Sequence, residues 1–321
     1  MDEDVGSYDH THRAFLQALL ARQVITFEEA KPLLAAIQTA NTPDRPTLPE
    51  DVSHEDFDNY IYTLNSAISP FDFEIRSTLH QTTKQKIYAL VNTTSDALTQ
   101  MATIHTADEI AFVKRVLDSM FETNNTQRAE VMAIDSFQAL NLAKDPNRRE
   151  SGSTQAQQNA GLTKTEAQKM LHSMVEEGWF ELSGRGFYSL TPRALLELRG
   201  WLMDTYNDQA AEDDDEEEQY EKIKFCQACK EIVTLGQRCP KTECQARLHG
   251  HCVRNMFRAQ GGREECPVCK TAWVDAPPVG EGAAKNARRS TNGTGGGGRR
   301  RTSGMNVDGA ADESSDASEG A

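Results

Sequence analysis

The sequence predicts an α+β protein of several domains: two helical units that each end in a short strand pair, a small zinc-held module, and a disordered C-terminal tail. Three observations carry this. All seven cysteines of the 321-residue chain fall between Cys226 and Cys269. Upstream, apolar residues at helical spacing give way twice to strand-like alternation. From residue 276 the chain turns to Gly, Ala, Ser, Arg and acid, with too little apolar surface to offset the entropy of ordering.

Residues 8–95 form the first unit. Phe15, Leu16, Leu19 and Leu20 recur at helical spacing, and Pro32 marks the start of a second helix carrying Leu33, Leu34 and Ile37. Residues 41–51 are a proline-rich connection. A third helix places Phe57, Ile61, Leu64 and Ile68 on one face and closes at Pro70. Phe71, Phe73 and Ile75 then alternate as a strand, and Ile87, Ala89 and Val91 alternate again. Helices followed by a two-stranded hairpin suggest a winged helix.

The second unit, residues 96–207, repeats the pattern more clearly. Thr106 and Glu109 make a capping box before the stripe Ile110, Val113, Leu117, Met120 and Phe121. Another helix is expected from Arg128 to Lys144, then a polar loop over residues 145–161. Thr163 and Glu166 cap a helix carrying Ala167, Met170, Leu171, Met174 and Val175, which Gly178 ends. Trp179, Phe180 and Leu182 form a strand, residues 183–186 a turn, and Phe187, Tyr188 and Leu190 its partner. Thr191 and Pro192 cap a single closing helix. The two units are thus tandem winged-helix domains.

A net charge of −15 excludes nucleic-acid binding by bulk electrostatics. On the helix from Thr163 to Glu177, Lys164 and Lys169 are outweighed by Glu166, Glu176 and Glu177, so this winged helix reads as protein-binding, with Arg185 at the wing tip as a single weak DNA contact. Residues 208–221 hold a self-repelling acidic run and read as an extended linker. In the tail, 276–321, Arg288, Arg289 and Arg299, Arg300, Arg301 suit nuclear import or weak DNA contact. With no run of eighteen apolar residues and no signal-like start at Met1, neither a membrane partner nor secretion is expected.

The zinc module spans residues 222–275. Cys226 and Cys229 form one CxxC, Cys239 and Cys244 a wider pair, His249 and Cys252 an HxxC, and Cys266 and Cys269 a second CxxC. Eight ligands suit two tetrahedral Zn(2+) ions with no open position for water, so both sites are expected to be structural. An odd cysteine count without a secretory signal argues against disulfides. His251 rivals His249, but the HxxC spacing selects His249. About 45 residues bury little core, whereas zinc sites in small peptides contribute on the order of 10 kcal/mol to folding.

Four cysteines, one histidine and three cysteines in this order resemble the variant RING fingers and the PHD fingers. Both interleave their ligands in a cross-brace, which would put Cys226, Cys229, His249 and Cys252 on one ion and Cys239, Cys244, Cys266 and Cys269 on the other. Glu264 stands where PHD fingers usually carry tryptophan, and CPVC with Pro267 looks like a RING-like finger. Two winged helices before such a finger, with CQAC, the Cys239 and Cys244 pair, RLHGHC and CPVC, resemble the non-SMC element one family of the SMC five-six chromosome complex over residues 8–275.

That resemblance implies a nuclear, chromosomal protein that binds a MAGE-like winged-helix partner, contacts the kleisin subunit and supports ubiquitin transfer in DNA repair and recombination. With every cysteine allotted to zinc, no thiol remains as an acyl acceptor. A ubiquitin-protein ligase here would work by holding a charged ubiquitin-conjugating enzyme in one reactive orientation. Its expected contacts are Gln227, Ala228, Met256, Phe257, Pro267 and Val268, with Lys270 as the bridging cation. Ala228 is small where active RING fingers commonly place a large apolar residue, so activity is expected to depend on the partner. The alternative is a non-catalytic docking module, PHD-like or a degenerate RING.

Overall fold

The computed structural model describes residues 7–94, 101, 104–144, 161–207 and 220–284. The acidic run within 208–219 and the tail arginines lie outside the described residues.

In the first unit α1 is His10–Arg22, β1 Val24–Thr26, α2 Phe27–Asn41, α3 His54–Ile68, β2 Phe73–Leu79 and β3 Lys86–Asn92. In the second, α4 is Ala107–Asp118, β4 Ile134–Asp135, α5 Ser136–Asn141, α6 Lys164–Glu176, β5 Phe180–Leu182 and β6 Phe187–Leu190. Both therefore run helix, strand, helix, helix, strand, strand, and both sheets are antiparallel with the first strand beside the third. This is the winged-helix architecture, built twice. The sequence hides each first strand because it is only three or two residues long. No helix among the described residues is long and apolar enough to cross a membrane.

Several boundaries differ from the sequence reading. α2 begins at Phe27, where Thr26 and Glu29 form a capping box, so Pro32 lies inside the helix. Phe71 sits in a 3-10 turn, 71% exposed, and the strand starts at Phe73. The helix expected from Arg128 to Lys144 shrinks to Ser136–Asn141, capped by Asp135. Residues 129–134 run outside it and are all buried. Val131 and Ala133 face Ala283 while Met132 and Ile134 enter the main core, so both sides of the segment are covered. A helix would bury one stripe of those side chains; a non-helical segment buries all of them.

The closing helix is two, α7 Pro192–Glu197 and α8 Arg199–Tyr206. Its break matters because α7 serves the other unit: Leu196 packs on Ala89, Val91 and Val24 of the first sheet. Ala89 and Val91 thus face the second unit, whereas Tyr88 faces the core of the first. Arg193 fastens the same junction, stacking 4.8 Å from the Trp179 ring centroid and donating to Gln23 Oε1 and to the Glu177 carbonyl.

The zinc module carries β7 Gly236–Arg238, β8 Arg247–Leu248, α9 Gly250–Ala259 and β9 Pro278–Val279. β9 lies on β7, and Glu281–Ala283 forms a 3-10 turn, so residues 276–284, expected in the tail, belong to the fold. They are held by burial of Val279 and Ala283 and by Glu281, which takes up both Ser183 and Arg185. Arg185 therefore closes the wing onto this segment and is not free for a phosphate. The module also shares one core with the second unit: Val233, Leu248 and Trp273 belong to the same cluster as Phe121, Met170 and Leu202. Asn207 pins the two ends of the acidic segment together, its Oδ1 accepting from the Lys222 and Ile223 amides at 3.0 and 2.9 Å.

Candidate metal centre

Each CxxC folds as a tight knuckle. Cys226 N donates to the Glu231 carbonyl at 2.8 Å and Lys230 N to the Cys226 carbonyl at 2.9 Å; Cys266, Thr271 and Lys270 repeat this at 2.8 and 3.0 Å. Lys230 and Lys270 hold the left-handed φ values of 64° and 61° that close these turns. Cys239 directly follows β7, and β8 leads into His249, the N-cap of α9, whose first turn carries Cys252. The β7–β8 approach requires Gly236, since a Cβ there would lie 2.3 Å from the Leu248 carbonyl oxygen.

These elements gather Cys226, Cys229, His249 and Cys252 into one cluster and Cys239, Cys244, Cys266 and Cys269 into another, with ligand atoms within 4.8 Å of one another. The clusters alternate along the chain. A zinc tetrahedron with bonds of about 2.3 Å has edges of roughly 3.8 Å. The separations bracket that: Cys239 to Cys269 Sγ 3.5 Å, Cys244 to Cys266 Sγ 3.7 Å, and His249 Nδ1 to Cys229 and Cys252 Sγ 3.3 and 4.0 Å. All seven cysteines are free thiols. Three thiolates with an imidazole, and four thiolates, are donor sets that fit two structural zinc ions.

His249 presents Nδ1 to its cluster because Nε2 is engaged elsewhere, 3.1 Å from the Ile232 carbonyl oxygen. Such an outer partner fixes tautomer and ring orientation. His251 stacks on His249 with centroids 5.0 Å apart but lies outside the cluster, and neither of its ring nitrogens has a hydrogen-bond partner.

Of the surface residues singled out, Ala228 and Lys270 are exposed, Val268 is 57% exposed, and Gln227, Met256 and Pro267 are half-buried. Phe257 corrects the expectation. It is 8% exposed, edge-on to Trp273 with centroids 6.1 Å apart, and supports the surface from beneath. Lys270 turns back on its own knuckle, Nζ donating to the Pro267 carbonyl at 3.1 Å.

Sequence reasoning missed the buried ions behind the metal clusters. Glu130, fully buried, accepts from Arg247, from Lys224 Nζ at 2.8 Å and from the Tyr220 hydroxyl at 2.7 Å. Burial alone would raise its pKa, but Arg247 and then Lys224 hold it down to about 2. Burial lowers Lys224 to about 8, opposed by Glu130. The one available signal was the setting of Glu130, a lone carboxylate in an otherwise apolar run over residues 129–134.

A family model described as the Nse1 non-SMC component of the SMC5-6 complex matches residues 12–198, and a RING-like domain model matches residues 226–269. The human non-structural maintenance of chromosomes element 1 homolog is 24% identical over 274 residues, 85% of this chain and 88% of the human one. The Schizosaccharomyces pombe protein is 24% identical over 269 residues, 84% of this chain and 94% of its own length. A solved chain from an Nse1-Nse3-Nse4 complex superposes with a TM-score of 0.63 at 22% identity, covering 85% of this chain and 99% of that one.

Proposed function

This chain belongs to the family of Nse1 non-SMC components of the SMC5-6 complex, and from that premise we propose that it is a RING-type ubiquitin ligase subunit acting on nuclear chromosomes in DNA repair and recombination. Its partners in this reading are a MAGE-like winged-helix subunit of the Nse3 kind and a kleisin of the Nse4 kind, matching the Nse3 and Nse4 components of the similar solved complex. The observation that carries the reading is the pair of interleaved clusters, which commit every thiol of the chain and leave Ala228, Val268 and Lys270 exposed on the loops of the two knuckles. A module of this kind transfers ubiquitin by holding a charged conjugating enzyme in a reactive pose, gaining rate from lost freedom. Pro267 extends the same surface, and Phe257 acts by supporting it.

A second reading, a zinc-held docking module without transferase activity, is favoured by the posture of Lys270. Its left-handed φ recurs at Lys230 and its ammonium is turned onto Pro267, so the turn alone accounts for it. Discharge of ubiquitin from a charged conjugating enzyme, measured with and without the MAGE-like partner, separates the two. Partner-stimulated discharge that Lys270→Ala reduces at least tenfold supports the ligase. Absence of discharge across a panel of conjugating enzymes leaves the docking module.

A further inference from the structure

The hairpin between β2 and β3 reaches out of the first winged helix to the first metal cluster. Its turn is fixed from within: His80 Nδ1 accepts from the Thr82 amide at 3.2 Å, Lys84 N donates to the His80 carbonyl at 2.8 Å, and Lys84 takes a left-handed φ of 64°. With Nδ1 an acceptor, Nε2 carries the proton and lies 3.7 Å from Glu181 on β5 of the second unit. The turn thus presents Gln81 to the zinc module in one orientation.

Gln81 spends its whole amide on residues 232–235. Nε2 donates to the Ile232 carbonyl at 3.0 Å, while Oε1 accepts from the Leu235 amide at 2.8 Å, the Thr234 amide at 3.2 Å and the Thr234 hydroxyl at 3.3 Å. The Ile232 carbonyl is the same oxygen that receives Nε2 of the ligand His249 at 3.1 Å. One oxygen therefore joins a side chain of the first winged helix to a metal ligand. The partner of a ligating histidine's second nitrogen sets its ring orientation, and loss of such partners commonly weakens metal binding.

We propose that Gln81 is a positioning residue for the first metal site: it fixes the Ile232 carbonyl that orients His249, so the first winged-helix unit sets the order of the site with three cysteines and one histidine. The site with four cysteines has its own support, Thr271 Oγ1 lying 3.2 Å from Cys269 Sγ. The proposal holds whether or not the module transfers ubiquitin.

The full-length protein reconstituted with cadmium-113 tests it, because a three-sulfur, one-nitrogen site and a four-sulfur site give separate resonances. Gln81→Glu, which removes the donor while keeping the shape, and Gln81→Ala are expected to shift or broaden the first resonance and leave the second in place. Release of the first ion to a chelator should quicken by about tenfold. Thr82→Ala, an exposed neighbour on the same turn, should change neither signal. An unmoved first resonance in both Gln81 variants overturns the proposal. So does joint loss of both resonances, which would mean the hairpin only supports folding, or an equal effect from Thr82→Ala.

Discussion

Glu130 and Arg247, 117 residues apart in the chain, form a fully buried pair in which the guanidinium Nε donates to the carboxylate at 2.6 Å. Glu130 belongs to the second winged-helix unit and Arg247 to the zinc module, whose clusters Arg247 also steadies by donating to the Cys244 carbonyl at 2.8 Å. Arg238 reaches the same region from β7, 3.9 Å from Glu130. The zinc module is therefore keyed into the second unit by charge as well as by apolar contact.

Removing the one anion from this group should be costly, because two or three buried cations then lack a counter-charge. Glu130→Gln is expected to destabilise the zinc-loaded protein by about 3–5 kcal/mol, read from denaturant midpoints at pH 7. A change below about 1 kcal/mol would mean that water reaches the group.

The acid dependence of that effect has a defined sign. A carboxylate whose folded pKa is depressed contributes stability that is complete above its unfolded value and is lost as pH falls through the folded value. For Glu130 the window runs from 4.5 down to about 2. The difference in stability between wild type and Glu130→Gln should close as pH falls below about 4.5 toward about 2. A difference that persists undiminished to the bottom of that window would place the titration elsewhere.

Zinc removal should reach beyond the zinc module. Because Val233, Leu248 and Trp273 share a core with Phe121 and Leu202, chelation is expected to lower the unfolding temperature of the second winged helix in one calorimetric transition. Without that shared core, the module would melt alone. Two separate transitions, with the second unit unmoved by chelator, would restore that picture.

Gly236→Ala should disturb the β7–β8 pairing next to His249, since the added methyl meets the Leu248 backbone most closely, with the Val233 side chain beside it. Overpacking of this kind costs about 1–3 kcal/mol. Zinc content by native mass spectrometry, together with thermal midpoint, measures it; unchanged values for both would show that β8 can shift freely.

Much of the fold was legible because it rests on local signals. Thr106 with Glu109 and Thr163 with Glu166 are capping boxes a few residues long, and in the structure both cap the expected helices. The HxxC spacing selected His249 over His251, and His249 is the one that joins a cluster. What failed lacked local marks. β1 and β4 are too short to alternate visibly, Pro32 outweighed a capping box at Thr26, and Phe257 read as surface because its cover, Trp273, lies across the module.

By itself the sequence determined that there would be two winged helices and two metal clusters, because helix caps, apolar periods and ligand spacing are set by neighbours within a few residues. Only the tertiary structure decided that Asn207 meets Ile223, that Arg185 is taken by Glu281, that Glu130 meets Arg247, and that Gln81 reaches the carbonyl holding His249. Those pairings join residues roughly 15 to 150 positions apart, and a side chain carries no record of a partner that distant. Burial supplies the physical selection: where the zinc module closes on the second unit, an enclosed charge such as Glu130 is stable only with partners found there.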